Sequence, residues 1–90
     1  MTETMDARLK RMRMRSWRRG TKEMDLILGP WADERLAGMD AAALDLYDLL
    51  LEENDQDLYP WVSGAQPCPA QYLDLLSEIS AFAKARHARG

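Results

Sequence analysis

Apolar side chains return at every third or fourth position along this chain, and no stretch alternates over four or more residues between turn signals. That spacing belongs to helices with one buried face, and β-branched residues are few, so no strand is expected. The first helix is predicted over Asp6–Arg18, with Met5, Leu9 and Met12 at i, i+4 and i+7 on one face. Met14 and Trp17 fall elsewhere on that cylinder, which implies a second contact. Gly20 is read as the stop, because glycine accepts the left-handed conformation of a C-terminal cap.

Thr21 is the expected N-cap of a second helix, with Glu23 in its first turn, where the helix dipole favours a negative charge. Met24, Ile27, Leu28 and Trp31 form its apolar face. Gly29-Pro30 predicts a kink, since proline removes a donor and crowds the preceding turn. The helix then resumes from Asp33 to Ala37 and ends near Gly38. Asp40 caps a third helix, Ala41–Glu53, whose polar face is narrow: Asp45, Asp48 and Glu52. Ala43, Leu44, Leu46, Tyr47, Leu50 and Leu51 fill the opposite half, as in the central helix of a bundle. A short fourth helix starts at Asp55, carries Leu58, Trp61 and Val62, and stops at Gly64. Ala65–Cys68 form a loop. Pro69 opens the last helix, with Gln71 as its cap partner and Tyr72, Leu75, Leu76, Ile79, Phe82 and Ala83 on its core face. Five helices with connections of two to six residues predict an all-α, compact five-helix bundle in a single domain over residues 1–90, with flexible ends at 1–5 and 87–90.

Composition agrees. Ninety residues at 47% hydrophobic suit one globular domain with a modest core. No apolar run approaches the roughly 20 residues that cross a bilayer, so no membrane association is expected. Basic residues open the chain without an apolar stretch after them, which is not a secretory signal. An Arg-rich mitochondrial presequence is conceivable there, but this stretch runs directly into a patterned helix with no spacer. Cys68 is the single cysteine, so neither a disulfide nor a multi-cysteine zinc site is expected, and the location is read as cytoplasmic or an equivalent reducing compartment.

Charge changes the picture more. The net charge of -3 hides an asymmetry. Residues 1–23 hold eight of the twelve Lys and Arg against three acids, while residues 24–80 hold twelve acids against Arg35 alone. A positive end and a negative body would orient a charged partner. The basic helix raises RNA as a partner through phosphate affinity, yet the chain as a whole is acidic, with a pI near 5.0. Nucleic acid is therefore not the expected partner, though a helical interaction module touching RNA stands as the alternative.

Catalytic constellations are missing. His87 is the one histidine, in a charged tail without a companion ligand, and reads as solvated. Cys68 lies between two prolines with no base nearby, and reads as inert. Asp55 and Asp57 lack the glycine and the glutamate of a calcium loop, and helix capping accounts for Asp55. The glycines build no phosphate cradle. No catalytic residue, metal site or enzyme activity is expected.

The most unusual string is Trp17-Arg18-Arg19-Gly20-Thr21-Lys22-Glu23, with Arg15 one turn earlier. As a helix joint it needs a glycine, and Arg19 could pair with Glu23. As an interface it offers Arg and Trp, the residue types that anchor partners, around a backbone that a partner could approach closely. Composition and spacing leave both readings open.

Arg19-Gly20-x-x-Glu23, followed by Met24-Asp25-Leu26-Ile27-Leu28, resembles the RGxxE signature of the SdhE family of FAD assembly factors, also called succinate dehydrogenase assembly factor 2. Leu49-Leu50-Leu51-Glu52 and Asp55-x-Asp57-Leu58-Tyr59-x-Trp61 extend the resemblance, which covers roughly residues 8–65. Thr21 stands where the family often has a bulky apolar residue, and Pro60 falls inside the second block. The resemblance implies a five-helix bundle that binds the flavoprotein subunit of succinate dehydrogenase, and in bacteria that of fumarate reductase; a monomer is expected when free. It implies that the factor promotes covalent attachment of FAD to that client and binds no cofactor itself. Arg19, Gly20 and Glu23 would touch the client, with Arg15, Trp17, Arg18 and Lys22 around them. Asp55, Asp57 and Trp61 would support the fold or add a second contact.

Overall fold

The structure, a computed structural model, describes residues 3–88, and of His87 and Ala88 the backbone alone. Five α-helices follow one another: α1 (Met5–Trp17), α2 (Lys22–Arg35), α3 (Ala41–Leu50), α4 (Asp55–Ser63) and α5 (Leu73–Ala88). Short 3-10 turns, Leu36–Gly38 and Ala70–Tyr72, lead into α3 and α5. No strand occurs among the described residues. Of the ends expected to be flexible, 1–5 and 87–90, Met1, Thr2, Arg89 and Gly90 lie outside the described residues, as does the side chain of His87 read as solvated, while Met5 and the backbone of His87 and Ala88 are helical.

Three helix starts are fixed by local chemistry. The side-chain oxygens of Thr4, Thr21 and Asp40 accept the backbone N–H three residues on, from Ala7 at 3.1 Å, Met24 at 3.3 Å and Ala43 at 2.8 Å. Each such cap is worth about 1 kcal/mol. Thr4 thereby starts α1 one residue earlier than its apolar pattern required.

Several boundaries differ from expectation for reasons found in the packing. α2 runs unbroken through Gly29 and Pro30, because Gly29, Pro30, Trp31 and Ala32 are all buried and tertiary contacts hold the turn that proline weakens. α3 stops at Leu50, where the Glu52 and Glu53 amides turn back onto Leu49 and Leu50 and tighten the end into 3-10 geometry. Gly20 is not left-handed. Among the described residues only Gly64 has a positive φ, +83°, closing α4. α1 ends instead at Arg18, whose N–H returns to the Arg15 carbonyl. Pro69 precedes the 3-10 turn and not α5 itself, and no side-chain cap forms there, which removes the role given to Gln71.

The core gathers Met12 from α1, Met24, Leu28 and Trp31 from α2, Leu44, Tyr47 and Leu50 from α3, Leu58 and Val62 from α4, and Tyr72, Leu76 and Ile79 from the last segment. Full burial of each large apolar side chain contributes about 1.5–3 kcal/mol. Trp31 and Tyr47 meet at 4.9 Å between ring centroids, tilted by 39°. One polar residue lies among them. Ser16 donates to the Met12 carbonyl at 2.8 Å and contacts the Tyr47 hydroxyl at 2.6 Å. A serine hydroxyl has one hydrogen, so Tyr47 is the donor in the second bond.

The two oppositely charged segments lie against each other. Arg8 reaches Asp45 at 2.6 Å, Arg11 grips Asp48 with two bonds of 3.0 and 2.8 Å, and Arg15 reaches Glu52 at 3.0 Å. Each pair is separated by 37 residues. A constant offset means that α1 and α3 run in the same direction, in register. The charge separation read from the sequence is thus largely neutralised inside the molecule. Exposed pairs contribute only about 0–1 kcal/mol each, so the ladder chiefly fixes register. The forked hydrogen bonds from Arg11 hold the Asp48 carboxyl below the usual carboxylate range.

Candidate functional site

At the corner between α1 and α2 the chain must reverse over Arg18–Thr21, and two carboxylates hold it there. Asp25, in the first turn of α2, accepts the Arg19 backbone N–H at 2.6 Å. Asp55, the first residue of α4, accepts the Arg19 Nε at 2.9 Å and the Gly20 backbone N–H. The rest of the Arg19 guanidinium donates to the Leu51 carbonyl at 2.8 Å and the Glu53 carbonyl at 2.7 Å. Carbonyls just beyond a helix end lack partners and carry the negative end of its dipole, so a guanidinium suits them. Arg15 adds a bond to the same Leu51 carbonyl at 3.0 Å. One arginine thus ties together the ends of α1 and α3 and the start of α4.

The consequence for Arg19 is a correction. Its side chain is only 7% exposed and donates internally to Asp55 and to the Leu51 and Glu53 carbonyls, and the pairing with Glu23 that the sequence left open does not form. Arg19 shapes the corner from beneath. Gly20 lies on the surface, and a Cβ there would come within 3.1 Å of the Asp55 carboxylate, so the close backbone approach is to Asp55. Glu23, Lys22, Thr21 and Arg18 are exposed, and neither Glu23, Lys22 nor Arg18 forms an ion pair with another described residue.

Trp17 is 40% exposed. Its indole lies directly on Gly29, where a Cβ would overlap the fused ring, and its Nε1 donates to both Asp33 oxygens at 3.2 and 3.1 Å. Gly29 is therefore a seat for Trp17 where a kink was expected. Met14, 44% exposed, lies one turn back, and an open groove of about 390 Å³ is lined by Arg11, Met14, Arg15, Arg18 and Arg19. Arg8, Arg11, Arg15 and Arg19 are all engaged by acids, which withdraws half of the eight basic residues of 1–23 from a phosphate backbone.

Within the second block, Asp55 serves the fold. Asp55 does not cap α4, whose N-cap is Asn54. Its carboxylate is the anchor of the corner. Trp61 is half-buried, 6.1 Å from the Tyr72 ring, and Asp57 is exposed in the first turn of α4. Cys68 is half-buried and unpaired. Sequence reading missed Asp25, Gly29, Asp33 and the carbonyls of Leu51 and Glu53. Only Asp25 left a local trace, as an acid in the first turn of a helix.

Comparison with known proteins identifies the relatives of the chain. A family model described as flavinator of succinate dehydrogenase matches residues 10–83. Proteins named succinate dehydrogenase assembly factor 2, mitochondrial, are similar: one from Schizosaccharomyces pombe is 33% identical over 93% of this chain and 62% of its own length. One from Drosophila grimshawi is 36% identical over 86% of this chain and 54% of its own. One from Danio rerio is 34% identical over 87% and 53%. The chain therefore spans between about half and two thirds of these relatives. Their names overturn the expected cytoplasmic location, since the relatives are mitochondrial proteins. A lone cysteine excludes a disulfide and says nothing about which compartment houses the chain, so that inference had no physical hold. With the match covering most of its length, the chain belongs to the family of flavinators of succinate dehydrogenase.

Proposed function

We propose that this chain binds the flavoprotein subunit of succinate dehydrogenase through the α1–α2 corner and promotes covalent attachment of FAD to it. The flavoprotein subunit of fumarate reductase is a second client of the same kind. The observation that carries this reading is the division of labour at the corner. Arg19, Asp25 and Asp55 are consumed in fixing the backbone, while Arg18, Lys22 and Glu23 stand free beside the half-exposed Trp17. A fixed backbone that presents charge around an aromatic is suited to gripping a protein surface, because little loop entropy is left to lose on binding.

The chain acts as a scaffold and not as an enzyme, and the flavin belongs to the client. Its binding energy favours the client conformation in which flavin and acceptor are aligned, and alignment alone can lower a barrier by several kcal/mol. The groups that make the bond come from the flavoprotein.

The test mixes purified flavoprotein lacking bound flavin, FAD and this protein, then reads flavin fluorescence that survives denaturation. Wild-type protein should raise the covalent yield. Glu23→Ala, which removes no internal hydrogen bond, should lower it at unchanged stability. Equal yields with and without the protein would refute the function, and equal yields with wild type and Glu23→Ala would refute the site.

A further inference from the structure

At the far end of α2 from the corner, a groove of about 400 Å³ opens between α2, the Leu36–Gly38 turn, α3 and α5. From Glu23 to Glu34 the helix rises about 16 Å, so this is a separate surface. The floor is apolar: Trp31, Met39, Leu46 and Leu75. The rim carries three carboxylates, Glu34, Asp74 and Glu78, all exposed and none in an ion pair with a described residue. The one cation in the lining, Arg35, holds its guanidinium 5.4 Å from the Phe82 ring centroid. Trp31 Nε1 is a buried donor without a hydrogen-bond partner, an unusual state for an indole. Gly38 faces open space, with no atom within 4 Å of where a Cβ would stand.

We propose that this groove is a second docking surface, which takes an apolar side chain flanked by Lys or Arg from a segment of a partner protein. The apolar floor supplies contact area, and the three unpaired carboxylates select positive flanks. A negatively flanked segment would meet like charge from both α2 and α5 and be refused. Two surfaces on one rigid helix would let the factor hold two parts of a client at a fixed separation, each raising the effective concentration of the other.

The test needs no client. Isotope-labelled full-length chain is titrated with the peptide acetyl-Lys-Lys-Leu-Phe-Lys-Lys-amide, and separately with the same peptide bearing Glu in place of Lys. The Trp31 indole N–H and the Gly38 amide are followed by NMR. The cationic peptide should shift both signals saturably and leave the Trp17 indole in place, and the acidic peptide should shift neither. Gly38→Leu, which adds a side chain to open space, should weaken binding at least fivefold, as should the surface pair Asp74→Lys with Glu78→Lys. Glu23→Ala should leave it unchanged, which separates this groove from the corner. Absence of a saturable shift, equal response to both peptides, or full binding by Gly38→Leu with native signal dispersion would overturn the proposal.

Discussion

Arg19 Nε lies 2.9 Å from Asp55 Oδ1, and neither side chain is more than 11% exposed. The two belong to segments 36 residues apart, so the pair closes the bundle as well as the corner. Arg19→Ala would leave the buried Asp55 without its cation and the Glu53 carbonyl without its donor. Removing one partner of a buried pair typically costs about 3–5 kcal/mol. The urea midpoint should fall accordingly, with Arg19→Lys intermediate, because an ammonium keeps the charge but not the planar fork. A loss below about 1 kcal/mol would show that the pair is not a structural tie.

Glu23 supplies the contrast. It is exposed and has no internal partner, and surface changes of this type stay within about 0.5 kcal/mol. Thermal melts of Glu23→Ala should therefore overlay those of the wild type, while covalent flavin yield falls. Arg19→Ala should lose both together. A Glu23→Ala protein that melts early would place this residue in the fold instead.

These two residues mark what could be read from the chain alone. Helix positions and the caps at Thr21 and Asp40 were legible because each depends on neighbours within four residues. The corner was found by its residue types and its resemblance, but the roles inside it were not. Whether Arg19 faces a client or Asp55 depends on where α4 docks, which no local spacing encodes. The role of Gly29 was hidden for the same reason, since the partner that needs the missing side chain is Trp17. The α1–α3 ladder left a visible signal in the matching spacings of Arg8, Arg11, Arg15 and Asp45, Asp48, Glu52. That signal becomes meaningful only once the two helices are known to run side by side.

Gly29 offers a test of packing against propensity. Alanine in a helix interior gains about 1 kcal/mol over glycine. Here the new methyl would overlap the Trp17 ring, and forced overpacking costs about 1–3 kcal/mol. Gly29→Ala should therefore be neutral to destabilising, with the Trp17 indole displaced from Asp33. In a Trp17→Ala background the clash is gone, and the same substitution should stabilise. An additive double-mutant cycle would show that the two residues do not meet.

Acid should loosen the α1–α3 ladder. Hydrogen bonds from Arg11 hold the folded-state pKa of Asp48 below that of an unfolded aspartate, about 3.9. Its stabilisation is fully present above that value and disappears as pH falls through the lower folded one. The urea midpoint should drop between about pH 4 and the acid limit, and Asp48→Asn should flatten that slope while lowering stability at pH 7. An unchanged slope would remove Asp48 from the acid response.

Alkali should act through the core. Burial pushes the Tyr47 hydroxyl up to about 12. Burial and the neighbouring Glu53, which accepts the Tyr72 hydroxyl at 3.0 Å, push Tyr72 up to about 12 as well. An unfolded tyrosine loses its proton near pH 10. Between about pH 10 and 12 the unfolded chain thus binds fewer protons than the folded one, and stability falls as pH rises. Tyr47→Phe removes one of these groups and leaves Ser16 bonded to the Met12 carbonyl, so its cost at pH 7 should be about 1 kcal/mol. The pair Tyr47→Phe with Tyr72→Phe should lose stability less steeply from pH 10 to 12 than the wild type. Equal steepness would mean that neither buried hydroxyl governs unfolding in base.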